Sequence, residues 1–162
     1  MKKTNFFGMA FSLLFVFVLF NSSASAQSTD PDNPTVVTQS AVQGKNPGNG
    51  EVVVYYYTFT AGPGILKLTT DQKSRGIRGN EKLSWELLDA NFKGLASEEL
   101  YGVTTSERKV NEVKLAKSQK VILKVKVTED VENFKFQFAG AVNFAGGNSN
   151  ENIQEITGDN TT

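Results

Sequence analysis

Three consecutive tyrosines, Tyr55, Tyr56 and Tyr57, are the side chains best suited to meet a ligand. A phenol ring offers a wide amphipathic face at little entropic cost and stacks on sugar rings or peptide aromatics. The simpler account makes them core and edge residues of a central strand. Cations offer a second chemistry. Arg108, Lys109, Lys114, Lys117, Lys120, Lys124 and Lys126 form a basic stretch opposed only by Glu112. Read as a hairpin, it would suit an acidic polysaccharide; equally, lysines on a solvent face guard sheet edges. Arg75 and Arg78 lie in the charged, glycine-containing stretch 71–81, read as a loop. The candidate ligand-binding residues are therefore Tyr55, Tyr57, Arg75, Arg78, Lys124 and Lys126.

Catalytic candidates are sparse. The chain has no His and no Cys, so Ser-His-Asp and Cys-His catalysis are excluded. Metals would find only oxygen ligands, which disfavours zinc. Glu98-Glu99 and Glu129-Asp130-Glu132 offer carboxylates, and glycoside hydrolysis needs two of them held across a cleft. Adjacent strand residues point to opposite faces, however, and these clusters read as turns. Asp30, Asp32, Asp89 and Asn91 could donate oxygens to calcium, but neither stretch matches a full EF-hand loop and turn chemistry accounts for both. Gly62-Pro63-Gly64 is no phosphate loop, because a strand follows where a helix N-terminus is required. No catalytic residue, metal site or cofactor is assigned.

The elements that must position these residues read as strands. Residues 51–70, EVVVYYYTFTAGPGILKLTT, are dense in β-branched and aromatic residues and predict two strands joined by a turn at Ala61-Gly62-Pro63-Gly64. Val52, Val54, Tyr56 and Thr58 share one face; Val53, Tyr55, Tyr57 and Phe59 share the other. Leu66 and Leu68 then point inward and Lys67 and Thr69 outward. Leu83, Trp85 and Leu87 alternate with Ser84 and Glu86, before an Asx-Gly turn over 89–94. A short strand is expected near Leu100–Val103. Over 108–115 the parity slips between Val110 and the pair Val113 and Leu115, a mismatch that a β-bulge would repair. Val121, Leu123, Val125 and Val127 alternate with Ile122, Lys124, Lys126 and Thr128. Phe134, Phe136, Phe138, Val142 and Phe144 share one parity, interrupted by Gly140. No segment sustains helical spacing. About seven to nine short strands with turn signals between them predict an all-β, jelly-roll-like antiparallel β-sandwich, its two sheets closing over Trp85 and the phenylalanine row.

Compartment comes from the N-terminus. Met1-Lys2-Lys3, an apolar run from Phe6 to Phe20 and Ala24-Ser25-Ala26 have the layout of a cleaved secretory signal. The expected organisation is a signal peptide over 1–26, a flexible segment with one short strand over 27–50, the sandwich over 51–145 and a polar tail over 146–162. Cleavage leaves no membrane span and an exported chain, periplasmic or extracellular. The whole chain has 17 basic and 17 acidic side chains; with Lys2 and Lys3 gone, 15 basic ones face 17 acidic, a net charge of −2. So nearly neutral a protein has no global field for nucleic acid or anionic lipid.

Residues 56–68, YYTFTAGPGILKL, resemble the opening of the bacterial pre-peptidase C-terminal (PPC) domain, a tyrosine-phenylalanine strand, a glycine turn and an alternating strand. Residues 83–91, LSWELLDAN, are similar to its next strand and turn, with Phe92 where that family usually has glycine. Val121–Val127 and Phe134–Phe138 resemble its closing pair. The likeness spans about residues 41–144 and implies an accessory module, acting here in trans, for a polysaccharide or an envelope protein. The expected function is thus non-catalytic binding. A small carboxylate-dependent glycosidase and a structural envelope subunit are the alternatives: two carboxyls converging in a deep cleft would favour the first, and an aromatic-rimmed face favours binding.

Overall fold

The computed structural model describes residues 27–48, 50–75, 82–101 and 106–144. The expected signal peptide, the tail over 146–162 and Arg78 lie outside the described residues. Among the described residues eight strands form: β1 (Thr35–Val36), β2 (Ala41–Gly44), β3 (Val53–Ser74), β4 (Leu83–Asp89), β5 (Gly94–Leu100), β6 (Ser106–Leu115), β7 (Gln119–Val127) and β8 (Val131–Asn143). All pairings between them are antiparallel except that of β1 with β3. The all-β, antiparallel fold class is the one the alternation predicts.

Strand β3 organises everything. The expected hairpin over 51–70 is instead one strand of 22 residues. Its first half pairs with β7, Val53 against Val127 through Ala61 against Gln119. Its second half pairs with β6, Gly64 against Leu115 through Lys73 against Ser106, and on its other side with β8. The chain bends between the halves at Gly62-Pro63-Gly64, where the Gly62-Pro63 peptide is cis and Gly62 and Gly64 have φ of 86° and 125°. One layer is thus β1-β3-β7-β4-β5 and the other β2-β8-β3-β6, with β3 common to both.

The turn at Lys117-Ser118-Gln119 belongs to the same corner. Strands β6 and β7 do not form the basic hairpin expected from sequence. They run in series alongside β3, one in each layer, so the lysines are divided between layers. The β6 register against β3 is continuous, so no bulge repairs its parity; Val110 simply faces out, 52% exposed. Strand β5 ends where a strand over 100–103 was expected to begin. The charged stretch 71–81 is not all loop either, since β3 runs on through Ser74.

Burial explains the cohesion. Leu83, Trp85, Leu87, Val121, Leu123, Val125, Val127, Phe134, Phe136 and Phe138 are all buried, the set the alternation placed inside. Burying each large apolar side chain stabilises by about 1.5–3 kcal/mol before entropy is set against it. Rings from opposite layers meet: Phe59 lies 4.7 Å from Phe138 and Tyr55 lies 5.9 Å from Phe134, centroid to centroid. Lys82 is buried too and forms an ion pair with Asp130. The leading segment, expected to be loose, is fastened. Ser28 forms a bridge with Tyr56, the Tyr56 amide donating to its carbonyl at 2.9 Å, and its own amide donates to Thr35 Oγ1 at 2.8 Å.

Candidate functional site

Outward-facing residues of the first layer form rows across three strands. Tyr56 on β3 lies opposite Lys124 on β7, which lies opposite Glu86 on β4. Lys124 Nζ donates to Glu86 Oε1 at 2.9 Å, so the middle of this row is a partly exposed ion pair. Leu88, two residues along β4 and nearly covered, lies beneath the same row. Two flanking segments turn the row into a shallow groove of about 380 Å³: Pro31 and Asp32 from the leading segment, and Phe92 from the β4–β5 turn. That size lies within the range of small-ligand sites.

Phe92 is the least expected member. The turn is built by Asp89, whose Oδ1 accepts from the amides of Asn91 at 2.8 Å and Lys93 at 3.0 Å. Within it Phe92 adopts φ 60° and is the only non-glycine at positive φ among the described residues. That conformation crowds Cβ against backbone and is normally left to glycine. Its ring is nonetheless 48% exposed, so core packing does not account for the choice of residue.

A second concavity opens on the other side of that layer. A cleft of about 1900 Å³ is lined by Val37, Tyr55, Tyr57, Gln72, Arg75 and Phe134, among others. Tyr55 and Tyr57 are 7% and 1% exposed. They point between the layers, as the simpler account of core residues on a central strand expects, and present no stacking face for a ligand on the surface. The cause is parity on a strand flanked on both sides: of the three tyrosines only Tyr56 turns outward. Tyr55 Oη donates to the Lys45 carbonyl at 2.9 Å. Burial pushes the ionisation of both phenols upward; for Tyr57 the nearby Tyr55 adds to the effect.

The sequence-derived candidates are therefore not brought together. Tyr55, Tyr57 and Arg75 line the inner cleft, Arg75 being tied at its rim by Nη1 to the Glu129 carbonyl at 3.3 Å and by its amide to the Asp130 carbonyl at 2.8 Å. Lys124 belongs to the outer groove, and Lys126 is exposed one row along the same face. The sequence alone does not pair Phe92 with Tyr56, although Phe92 in place of glycine at that point of the turn was a usable signal.

The carboxylates are engaged elsewhere. Asp130 pairs with Lys82 and Glu132 with Lys73. Glu98 accepts from Asn111 Nδ2 at 2.8 Å, and Glu99 accepts from Tyr101 Oη. Among the described residues no group of three acidic side chains is placed to hold a metal ion, and no helix is long and apolar enough to cross a membrane.

No family model matches the chain, and no curated protein matches it. Solved structures do. An arabinose-bound GH51 α-L-arabinofuranosidase matches at 14% identity and a TM-score of 0.37, over 65% of this chain and 20% of that one. The CBM36-1 domain of a multidomain xylanase from the hindgut metagenome of Trinervitermes trinervoides matches at 14% identity and a TM-score of 0.35, over 68% of this chain and 95% of that one. This chain thus spans about a fifth of the arabinofuranosidase. Likenesses of this degree carry no functional argument, which rests on the chain's own residues.

Proposed function

We propose that this protein is an exported, non-catalytic binding module that takes polysaccharide in the outer groove. Phe92 carries the reading: a large apolar ring, kept exposed at a backbone position that favours glycine, facing the same groove as Tyr56. Backbone strain retained beside a concave surface is a signature of function. Aromatic faces supply the apolar contact a pyranose ring needs. The Glu86–Lys124 pair supplies a charged acceptor and charged donor for hydroxyl groups, and hydrogen bonds to charged groups are the stronger kind. A shallow groove open to solvent suits a polymer better than a free sugar. Export rests on the charged, apolar and small-residue order of the N-terminus, and the resemblance to PPC domains supports an accessory role.

Affinity electrophoresis of the full chain through gels containing individual cell-envelope or plant polysaccharides tests this. At least one polymer is expected to retard the protein. Phe92→Ala and Tyr56→Ala are each expected to weaken retention by about tenfold, the scale of one lost aromatic contact. Retention untouched by both substitutions, or no retention by any polymer, defeats the proposal. Release of reducing ends from a retained polymer would point instead to the glycosidase reading.

A further inference from the structure

The outer groove is not electrically balanced. Two carboxylates line it, Asp32 and Glu86, against one ammonium, Lys124. Lys124 Nζ sits 2.9 Å from Glu86 Oε1, so these two largely cancel. Asp32 is left over. Its side chain is exposed and makes no hydrogen bond or ion pair among the described residues. The neighbouring carboxylate is engaged in the local turn, Asp30 Oδ1 accepting from the Asp32 amide at 2.9 Å. That turn, together with the bridge from Ser28 to Tyr56, brings Asp32 to the groove wall.

Other cations nearby do not supply the missing charge. Lys126, one row along β7, has a partner of its own. Lys120 is four residues from Lys124 on that strand, about 13 Å away at the usual rise, which exceeds the screening length of about 8 Å at physiological salt. Lys93, next to Phe92 in the turn, does not line the groove.

The rings reinforce the sign. The face of an aromatic ring carries partial negative charge and attracts cations. Tyr56 and Phe92 line the same groove as Asp32, and Phe92 is half exposed. A neutral sugar ring uses these faces for its C–H groups and leaves Asp32 idle. An anionic unit meets two carboxylates and a lysine already paired. A sugar unit bearing an ammonium finds aromatic walls and an unpaired carboxylate together.

We propose that the outer groove selects polymers whose sugar units carry free primary amines, with Asp32 as counter-ion and Tyr56 and Phe92 as walls. This rests on the reading of the groove as a polysaccharide site and narrows it to a cationic class.

The test uses a matched pair of probes, the β-1,4-linked hexamer of D-glucosamine and its fully N-acetylated counterpart. They share ring, linkage and length and differ in charge. The full chain, labelled with nitrogen isotope, is titrated with each by NMR in low-salt, mildly acidic buffer, where amines are protonated and aspartates ionised. The amine hexamer should give saturable shifts at the backbone amides of Asp32, Tyr56 and Phe92. Its affinity should exceed that of the acetylated hexamer about five- to tenfold, the scale of one exposed ion pair with a cation–π contact. Raising salt to about 0.5 M should erase most of that preference. Asp32→Asn should cut it to about twofold and leave the acetylated hexamer unaffected; the Asp32 side chain supports no contact of the fold, so this variant reports on binding. Phe92→Ala should weaken both hexamers. Absence of a shift with the amine hexamer, equal affinity for the two hexamers, or a preference that survives Asp32→Asn overturns the assignment. So does hexalysine binding as tightly as the amine hexamer, since the groove would then read charge without sugar. Retention in polysaccharide gels beside any of these results leaves the polysaccharide reading standing without its amine selectivity. No shift with either hexamer and no retention by any polymer removes both.

Discussion

Phe92 sets two selective pressures against each other. At φ 60° its side chain is strained, by about 1 kcal/mol for an ordinary residue in the left-handed region. Glycine relieves that strain, while its greater freedom in the unfolded chain offsets part of the gain. Urea unfolding of Phe92→Gly should therefore show a small net stabilisation, up to about 0.5 kcal/mol, together with the loss of polysaccharide retention. Destabilisation would mean that the ring is structural. Tyr57 makes a different prediction. Its phenol is neutral and its ionisation is raised by burial and by Tyr55. The folded state thus holds this proton more tightly than the unfolded one. That contribution is fully present below the ordinary phenol value near 10 and is lost as pH climbs above it. The melting temperature should be flat with respect to this group up to that point and fall beyond it, with Tyr57→Phe removing part of the fall. Lys82 and Asp130 provide a third case, a fully buried cation tied to a mostly buried carboxylate. Asp130→Ala strands the ammonium and should cost about 3 kcal/mol in denaturant unfolding. Lys82→Met with Asp130→Leu should recover much of that loss.

Among the elements, β3 is the part on which the layers depend. It passes from one to the other at Gly62-Pro63-Gly64, alongside the β6–β7 corner. A Cβ built on Gly62 would sit 2.3 Å from the Lys117 carbonyl oxygen, with φ already at 86°. No side-chain rotation relieves a clash with backbone. Gly62→Ala should cost at least about 2 kcal/mol, combining the positive-φ penalty with a displaced partner strand, and calorimetry would read it. An Ala at this position that leaves stability intact would show that the corner is soft. Alternation made most strands legible: Leu83–Leu87, Val121–Val127 and the phenylalanine row face as their spacing says. The corners were misread for a physical reason. Glycine and proline announce that the chain bends, but not whether it folds back on itself or carries on into another sheet. That depends on which distant strand supplies the next hydrogen bonds. The same ambiguity made β6 and β7 look like a hairpin.

At the level of the whole molecule, nearly every pairing joins segments far apart in sequence, β1 to β3, β3 to β8 and β4 to β7 among them. Closing such loops costs entropy before contacts return it. Refolding from urea, followed by Trp85 fluorescence, should accordingly take roughly milliseconds to seconds; a microsecond phase carrying most of the amplitude would contradict the topology. The candidate sites divide along the same line. Residue types and period-two spacing by themselves determined that the chain is all-β, that Trp85, the 121–127 alternation and the phenylalanine row supply core side chains, and that His- and Cys-based chemistry is excluded, because these follow from composition and from the strand's own geometry. Only the tertiary structure decided that Tyr55 and Tyr57 turn inward while Tyr56 turns outward to share a groove with Phe92, and that Gln72 faces Tyr57's cleft rather than solvent. An alternating strand has two faces, and nothing local says which of them the rest of the molecule will cover.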